Sequence, residues 1–384
     1  MIANIAIPIL LAILLCSFYV DRQHLRRRAL WLRVLAWLLP LAIMAYTVQL
    51  AREPDYFPDD ITTIVNYLTV LAVFVVPLFL VSLCGSIMLC FKKRKVGEKV
   101  GWGLSVVILL VYIYGAFYGV RQFEVKHVEL SFDDLPAEFD GYKIVQFSDA
   151  HLGSFVGFRS EVLRLAVDSI NAQQADMVVF TGDLQNKCPQ EIEPYVGLLS
   201  TIQSRDGIFS VLGNHDYCEY IGSKDPFVIG GNMGLTRSLQ EDMGWTLLNN
   251  AHRRIRRDSV SIVIAGMEND GEGRFPQLGN VNAALSGVNR DEFVIMLEHD
   301  PTSWRRKILP HCHAQLTLSG HTHGGQVSLF GWSPAQLSYK EVGGLYRNGS
   351  RMLYVSTGVG GAIPFRIGIP NEIVVITLRS NKKL

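Results

Sequence analysis

KIVQFSDAHLG, residues 143–153, sets an apolar run of strand length directly against a loop that carries an acid and a histidine and closes on glycine. Ile144, Val145 and Phe147 read as a buried strand, and the polar residues fall at its carboxyl end, where open α/β sheets collect their chemistry. The same pattern recurs downstream. DMVVF (176–180) runs into TGDL (181–184), GIFSVL (207–212) into GNHDY (213–217), FVIMLEH (293–299) into LEHDP (297–301), and QLTLSG (315–320) into SGHTHGGQ (319–326). SIVIAG (261–266), MLYVSTG (352–358) and EIVVITL (372–378) read as further strands. Between the first two strands, FRSEVLRLAVDSINAQQ puts Leu163, Ala166, Val167 and Ile170 on one helical face. Residues 140–384 are therefore expected to form a multi-stranded α/β domain.

Each polar cluster follows a strand, so each loop starts at a sheet edge and can face a common cleft. Together they offer Asp149, His151, Asp183, Asn214, His299, His321 and His323. A mixed carboxylate, amide and imidazole set suits Mn, Fe or Zn and lacks the all-oxygen shell that calcium takes. Seven ligands exceed the need of one ion. With one carboxylate bridging, they divide into two four-ligand sites, and paired ions about 3.5–4 Å apart are a known device for in-line displacement at phosphorus. Taken singly, Gly-Asp is a common turn, Asn-His-Asp a possible helix cap, and His-Thr-His two residues on one strand face. The argument rests on their joint occurrence in this order.

Upstream the texture changes. Four apolar segments, about 2–20, 29–50, 64–91 and 101–121, each approach the length that spans hydrocarbon, and LAVFVVPLFLVSLCGSIMLC shows no polar helical face. Pro77 predicts a kinked or tilted third span. The loops DRQHLRRRALWLR and KKRKVGEK are basic, whereas AREPDYFPDD sets Glu53, Asp55, Asp59 and Asp60 against Arg52. The basic loops are expected on the cytoplasmic side, which puts everything after the fourth span outside. The first segment's charges follow its apolar run, so it is read as a retained anchor and not a cleaved leader. Residues 1–121 are thus expected to be an all-α transmembrane region, with 122–139 as a linker.

The chain has 384 residues, a formal net charge of +1, 49% hydrophobic and 18% charged residues. That composition excludes global disorder, and it argues against nucleic acid as a partner, because no basic excess covers the folded part. Six scattered cysteines do not make a disulfide scaffold.

The five polar blocks resemble the signature blocks of the calcineurin-like metallophosphoesterase family, and all are present across residues 140–384. GGQ after His323 and the late GGAIPFRIGIPNEIVVITL are similar to the bacterial membrane-associated branch often called YkuE-like, whose members include phosphodiesterases and lipid-precursor pyrophosphatases. The resemblance implies a four-layer αββα sandwich of two mixed sheets and two divalent metal ions. It gives Asp149, His151, Asp183 and His323 to one ion and Asp183, Asn214, His299 and His321 to the other, with Asp183 as the bridge. It also implies that His215 contacts phosphate and protonates the leaving oxygen. Asp216 is then expected to orient the His215 imidazole. A hydroxide shared by two cations serves as nucleophile near neutral pH, so no catalytic Ser or Cys is needed.

Arg159 and Arg366 are candidates for a second phosphate or a lipid headgroup, with surface ion pairing as the alternative. Cys188 and Cys218 stand either bridged or as two thiols. RRIRR (253–257) reads as a solvated strand face, and Asn348-Gly349-Ser350 is a sequon only in a eukaryotic lumen. The expected function is a phosphohydrolase in a bacterial plasma membrane, acting extracytoplasmically on a lipid-linked or cell-envelope phosphoester or pyrophosphate. Two alternatives stand beside it: a cytoplasmic-face nucleoside-diphosphate-lipid pyrophosphatase, and an idle metal-bound interaction or sensor module.

Overall fold

The computed structural model describes residues 2–52 and 61–382 and divides the chain into two units, Met1–Ala116 and Phe117–Leu384. The acidic residues Glu53, Asp55, Asp59 and Asp60 of the second loop lie outside the described residues.

In the first unit, apolar composition without a polar face yields helices with no soluble-type amphipathicity. Four helices among the described residues are long and apolar enough to cross a membrane: Ala6–Leu25, Leu30–Arg52, Ile61–Leu89 and Arg94–Arg121. The fourth begins earlier than the 101 expected, because Arg94 and Glu98 pair one turn apart at 3.1 Å and carry the helix through the basic loop. Pro77 cannot donate to the carbonyl four residues back, and a π-helical turn at Leu71–Val75 absorbs the mismatch just before it. Glycine spacing packs the last two helices. A Cβ on Gly97 would lie 2.2 Å from the Cys84 carbonyl oxygen, and one on Gly101 2.5 Å from the Val81 Cα. The backbones therefore touch where Gly97, Gly101 and Ser105 form a small-residue stripe, a contact that larger side chains would hold apart. Glu98 accepts from Tyr19 at 2.8 Å, lies 3.0 Å from His24 and pairs with Arg94, so the two basic turns of this unit meet at one end of the helices.

The second unit is built on two six-stranded sheets. The strands are β1 (Phe123–Phe132), β2 (Lys143–Phe147), β3 (Met177–Phe180), β4 (Ile208–Ser210), β5 (Trp245–Leu247), β6 (Ala251–Arg257), β7 (Val260–Gly266), β8 (Phe293–Leu297), β9 (Leu316–Ser319), β10 (Gly344–Asn348), β11 (Arg351–Val355) and β12 (Asn371–Ser380). The first sheet runs β1-β12-β2-β3-β4-β5 and the second β10-β11-β9-β8-β7-β6. β2 to β5 are mutually parallel, as are β7, β8, β9 and β11. Alternate residues of the two sheets meet in a shared core that includes Ile144, Val179, Ile264, Ile295 and Leu318. The outer face of the first sheet packs on the helix Ser160–Ala172, which buries Leu163, Ala166, Val167 and Ile170, and on Pro226–Asp242. The outer face of the second is covered by Trp304, Ile308, Val281 and Ala284. Helices, two sheets and helices make the four-layer αββα sandwich.

The stretch expected as a linker, 122–139, is corrected by β1, which pairs in parallel with β12 from Phe123↔Asn371 to Phe132↔Ser380. Phe123 and Val125 pack toward the helix layer, whereas Val128, Leu130 and Phe132 face the core between the sheets. The apolar residues change face midway, so the period-two signal cancels along the strand. β5 (Trp-Thr-Leu) and β10 (Gly-Leu-Tyr-Arg-Asn) lie at the sheet edges and lack the continuous apolar run that marks the buried strands. In β6, Arg254 pairs with Glu292 at 2.6 Å and Arg257 with Asp206 at 2.5 Å.

Candidate metal centre

Parallel strands all point their carboxyl ends the same way, and the five polar loops leave β2, β3 and β4 of one sheet and β8 and β9 of the other. They meet at one edge of the sandwich. Ligand atoms of Asp149, His151, Asp183 and His323 lie within 4.8 Å of one another, as do those of Asp183, His299 and His321. Asp183 belongs to both groups. Its Oδ2 is 3.1 Å from His299 Nε2 and 3.6 Å from His151 Nε2, while Oδ1 accepts the His215 backbone N–H at 2.9 Å. Asn214 joins the second group, its Oδ1 2.8 Å from His321 Nδ1.

The backbone is bent to reach this arrangement. Asp149, His151, Asp183, His321 and His323 all have positive φ, between 50° and 73°, a region that costs L-residues about 1–2 kcal/mol each. Such a cluster of strained positions at one edge marks a site whose geometry is held by the surrounding fold. Two glycines let the loops close in. A Cβ on Gly213 would lie 2.2 Å from Asp183 Oδ1, and one on Gly182, at φ 95°, 2.7 Å from His299 Nδ1.

The imidazoles are held from behind. His299 Nδ1 lies 2.6 Å from the Thr181 carbonyl, which can only accept, so the proton sits on Nδ1 and Nε2 faces Asp183. His151 Nδ1 is likewise 3.1 Å from Asn186 Oδ1, which turns its Nε2 to within 3.2 Å of His323 Nε2. Burial keeps His151 down at about 3 and holds His321, His323 and His215 below the usual imidazole range, so these rings are neutral at working pH. Burial pushes Asp149 up to about 7. It would do the same to Asp183, but His299, His215 and His151 outweigh it and hold that carboxyl well below its ordinary value. His299 goes the other way, up to about 10, because Asp183 and Asp149 overcome its burial.

These residues fit divalent cations. His151 Nε2 and His323 Nε2 converge to 3.2 Å beside the carboxylates of Asp149 and Asp183, a nitrogen and oxygen donor set of the kind that takes Mn, Fe or Zn. His299 Nε2, although close to Asp183, is buried without hydrogen-bond geometry to any partner. Unpaired buried donors or acceptors are costly, and a coordinated ion satisfies an inward-facing nitrogen.

His215 stands edge-on to His151 with ring centroids 4.7 Å apart. The residue expected to orient it, Asp216, does not. The Asp216 carboxylate accepts the backbone N–H groups of Asp183, Gly213 and Leu184, each at 2.9 Å, and so ties the ends of two metal-bearing loops together. His215 Nδ1 is held instead by the Asn186 carbonyl at 2.5 Å. A carboxylate is drawn to a nest of unsatisfied amides at a turn as readily as to an imidazole, and here the turn is nearer.

Arg366 is also corrected. Its guanidinium is buried and donates to the carbonyls of Pro370 (3.0 Å), Thr357 (2.9 Å), Gly358 (3.3 Å) and Gly360, clasping the Gly/Pro-rich loop instead of facing a phosphate. Arg159 is half-buried, with Nε on the Ser154 carbonyl at 2.7 Å, in a cleft with Phe155, Ile363, Pro364 and Phe365. Substituting Arg366→Ala is expected to lower unfolding stability by about 3 kcal/mol, because several buried carbonyls lose a charged donor. Arg159→Ala is expected to cost clearly less, because only the Ser154 carbonyl loses its donor, and denaturant titration of the two variants compares them directly. Cys188 and Cys218 are both free thiols.

Four neighbours were not flagged by the sequence. Asn186 serves two histidines, Tyr220 OH accepts from Asn214 Nδ2 at 3.0 Å, Tyr339 OH lies 3.0 Å from His321 Nε2, and Asp300 Oδ2 lies 3.5 Å from it. Asp300 within LEHDP and Asn186 just after TGDL carried a positional hint; Tyr220 and Tyr339 carried none.

The family model of calcineurin-like phosphoesterases matches residues 142–325. An uncharacterized metallophosphoesterase, YkuE, of Bacillus subtilis is 31% identical over 280 residues, 70% of this chain and 90% of that protein. A transmembrane protein with metallophosphoesterase domain from Danio rerio is 31% identical, over 80% of this chain and 72% of its own length. An uncharacterized metallophosphoesterase, Cj0846, of Campylobacter jejuni is 28% identical over 97% of this chain and 98% of its own. Two Asp/His groups that share one carboxylate are the local form of the dinuclear divalent centre this family uses, and four apolar helices associate the chain with a membrane. The chain belongs to the calcineurin-like phosphoesterase family, as a membrane-associated, metal-dependent phosphoesterase.

Proposed function

We propose that this phosphoesterase hydrolyses a phosphoester or pyrophosphate bond of a lipid-linked or cell-envelope substrate on the extracytoplasmic side of a plasma membrane. The carrying observation is that two ligand groups sharing Asp183 occur in a chain with four helices apolar enough to cross a bilayer. Asp149, His151, Asp183 and His323 hold one ion; Asp183, Asn214, His299 and His321 hold the other. The division is supported by the spacing of the two groups and by the 2.8 Å approach of Asn214 to His321. Manganese, iron or zinc suits this donor set.

When bound, the ions supply Lewis acidity toward a phosphoryl oxygen and lower the pKa of water. The chain supplies the rest. Thr181 and Asn186 lock the imidazoles of His299 and His151 so that no reorganisation is needed during turnover. Asp216 holds the Asp183 and Gly213 backbone in place. His215, its Nδ1 proton engaged by the Asn186 carbonyl, presents an unprotonated Nε2 that must first take up a proton, which the negative charge of a phosphate substrate favours, before it passes one to the leaving oxygen. Arg159, at the edge of an apolar-lined cleft, binds a further phosphate oxygen of the substrate.

The sidedness is supported by the meeting of both basic turns around Glu98, since Lys and Arg concentrate on the cytoplasmic side. A reporter fused after Leu384 is expected to behave as extracytoplasmic, and a Cys placed within 22–28 to resist impermeant thiol reagents in intact cells. A cytoplasmic carboxyl terminus would overturn the placement and move the substrate to the inner face. Release of nitrophenolate from bis(4-nitrophenyl) phosphate by the purified chain with Mn tests the hydrolytic reading directly.

A further inference from the structure

Residues 328–337, SLFGWSPAQL, follow the HTHGG loop and contain no charged side chain. Leu329 and Trp332 exchange backbone hydrogen bonds at 2.9 and 3.0 Å, which makes a two-residue hairpin with Phe330 and Gly331 at its tip. Both tip residues have positive φ, 53° and 81°, as a type I′ turn requires. The first of these positions is normally Asn, Asp or Gly; here it is a phenylalanine, held in the left-handed region and fully exposed. Leu329, Trp332 and Leu337 are each more than half exposed around it. A strained backbone that presents four large apolar side chains to water is costly on both counts, and neither cost is recovered within the fold.

The tip is also rigidly rooted at the metal centre. Ser328 N–H donates to the Ile367 carbonyl at 2.8 Å, Ser333 Oγ to the Gly324 carbonyl at 2.7 Å, and Tyr339, just past Leu337, reaches His321.

We propose that the Leu329–Trp332 hairpin and Leu337 form a docking tip that inserts into the interfacial layer of a lipid bilayer. The occupant is set by the rest of the chain, whose four apolar helices tether this surface to a membrane and give the bilayer an effective concentration no soluble partner matches. Phe, Trp and Leu with no charge are the residues that settle at the headgroup boundary. Resting on the function proposed above, docking holds the metal centre at headgroup depth, so esters carried on a lipid are its preferred class of substrate.

The test uses the full chain in phosphatidylcholine/phosphatidylglycerol nanodiscs, with and without bromine on the acyl chains. The Trp332 signal is the difference between the native chain and Trp332→Phe. It is expected to be quenched by bromolipid, and to lose that quenching in Phe330→Asn, which suits the I′ turn better and keeps or raises the unfolding midpoint. In the same discs, Phe330→Asn is expected to slow hydrolysis of hexadecyl 4-nitrophenyl phosphate about tenfold while soluble bis(4-nitrophenyl) phosphate changes less than about twofold. A Trp332 signal open to aqueous acrylamide and untouched by bromolipid overturns the proposal. So does a signal shielded from both quenchers, which would give the tip to a protein partner or a second copy. If neither ester is cleaved by the native chain but Trp332 is quenched, docking stands and the hydrolytic reading falls.

Discussion

Asp183→Ala is expected to empty both halves of the metal centre and to reduce turnover to background. Asp183 is the only residue common to the two ligand groups. It keeps its negative charge throughout the working pH range, since the neighbouring histidines hold its carboxyl well below the ordinary value despite burial. Its removal leaves Asp149 as the one carboxylate among the proposed ligands. The alanine also frees the His215 backbone N–H now bonded to Oδ1. Asp183→Asn separates the two losses, because the amide oxygen keeps that hydrogen bond and removes only the charge. Both variants are expected to lack metal by elemental analysis, with the unfolding midpoint nearer native for Asn. Asn214→Ala is expected to lose one ion preferentially. Two ions per chain in Asp183→Ala would contradict the assignment.

His215→Ala is expected to keep both ions and slow the chemical step by about 10²–10⁴-fold, the usual range for loss of a general acid. The defect should grow with the basicity of the leaving group. An alkoxide needs its proton as the P–O bond breaks, whereas nitrophenolate departs largely unaided, so an alkyl ester should suffer far more than a nitrophenyl ester. Equal impairment on both esters, with metal content intact, would make His215 a phosphate-binding residue only. The position of Asp216 changes what its variant should do. Because its carboxylate holds the backbone of Asp183, Gly213 and Leu184, Asp216→Asn is expected to weaken metal retention instead of showing a leaving-group effect. Single-turnover rates and metal analysis on the same preparations distinguish the two patterns.

The family and the strands that carry the site were legible before any coordinate, and so was the order of the seven residues proposed as ligands. Each ligand sits directly after an apolar run such as KIVQF or DMVVF, and that local order is written in consecutive residues. The four apolar helices were legible for the same reason, since chain length and side-chain polarity alone decide what hydrocarbon accepts. What the tertiary structure decided is where a long-range partner competes with a near one. β1 hid because its burial switches face along its pairing with β12, a strand at the far end of the domain in sequence, Phe123 against Asn371 and Phe132 against Ser380. Asp216 was drawn to three backbone amides of loops brought together by the sheet, and Arg366 to carbonyls of its own loop. Asn186 acquired its role only when two histidines from separate strands arrived beside it. A hydrogen-bonding side chain declares its chemistry in the sequence, but its partner is whichever complementary group the fold leaves unsatisfied within about 3 Å, and that is a property of the assembled chain.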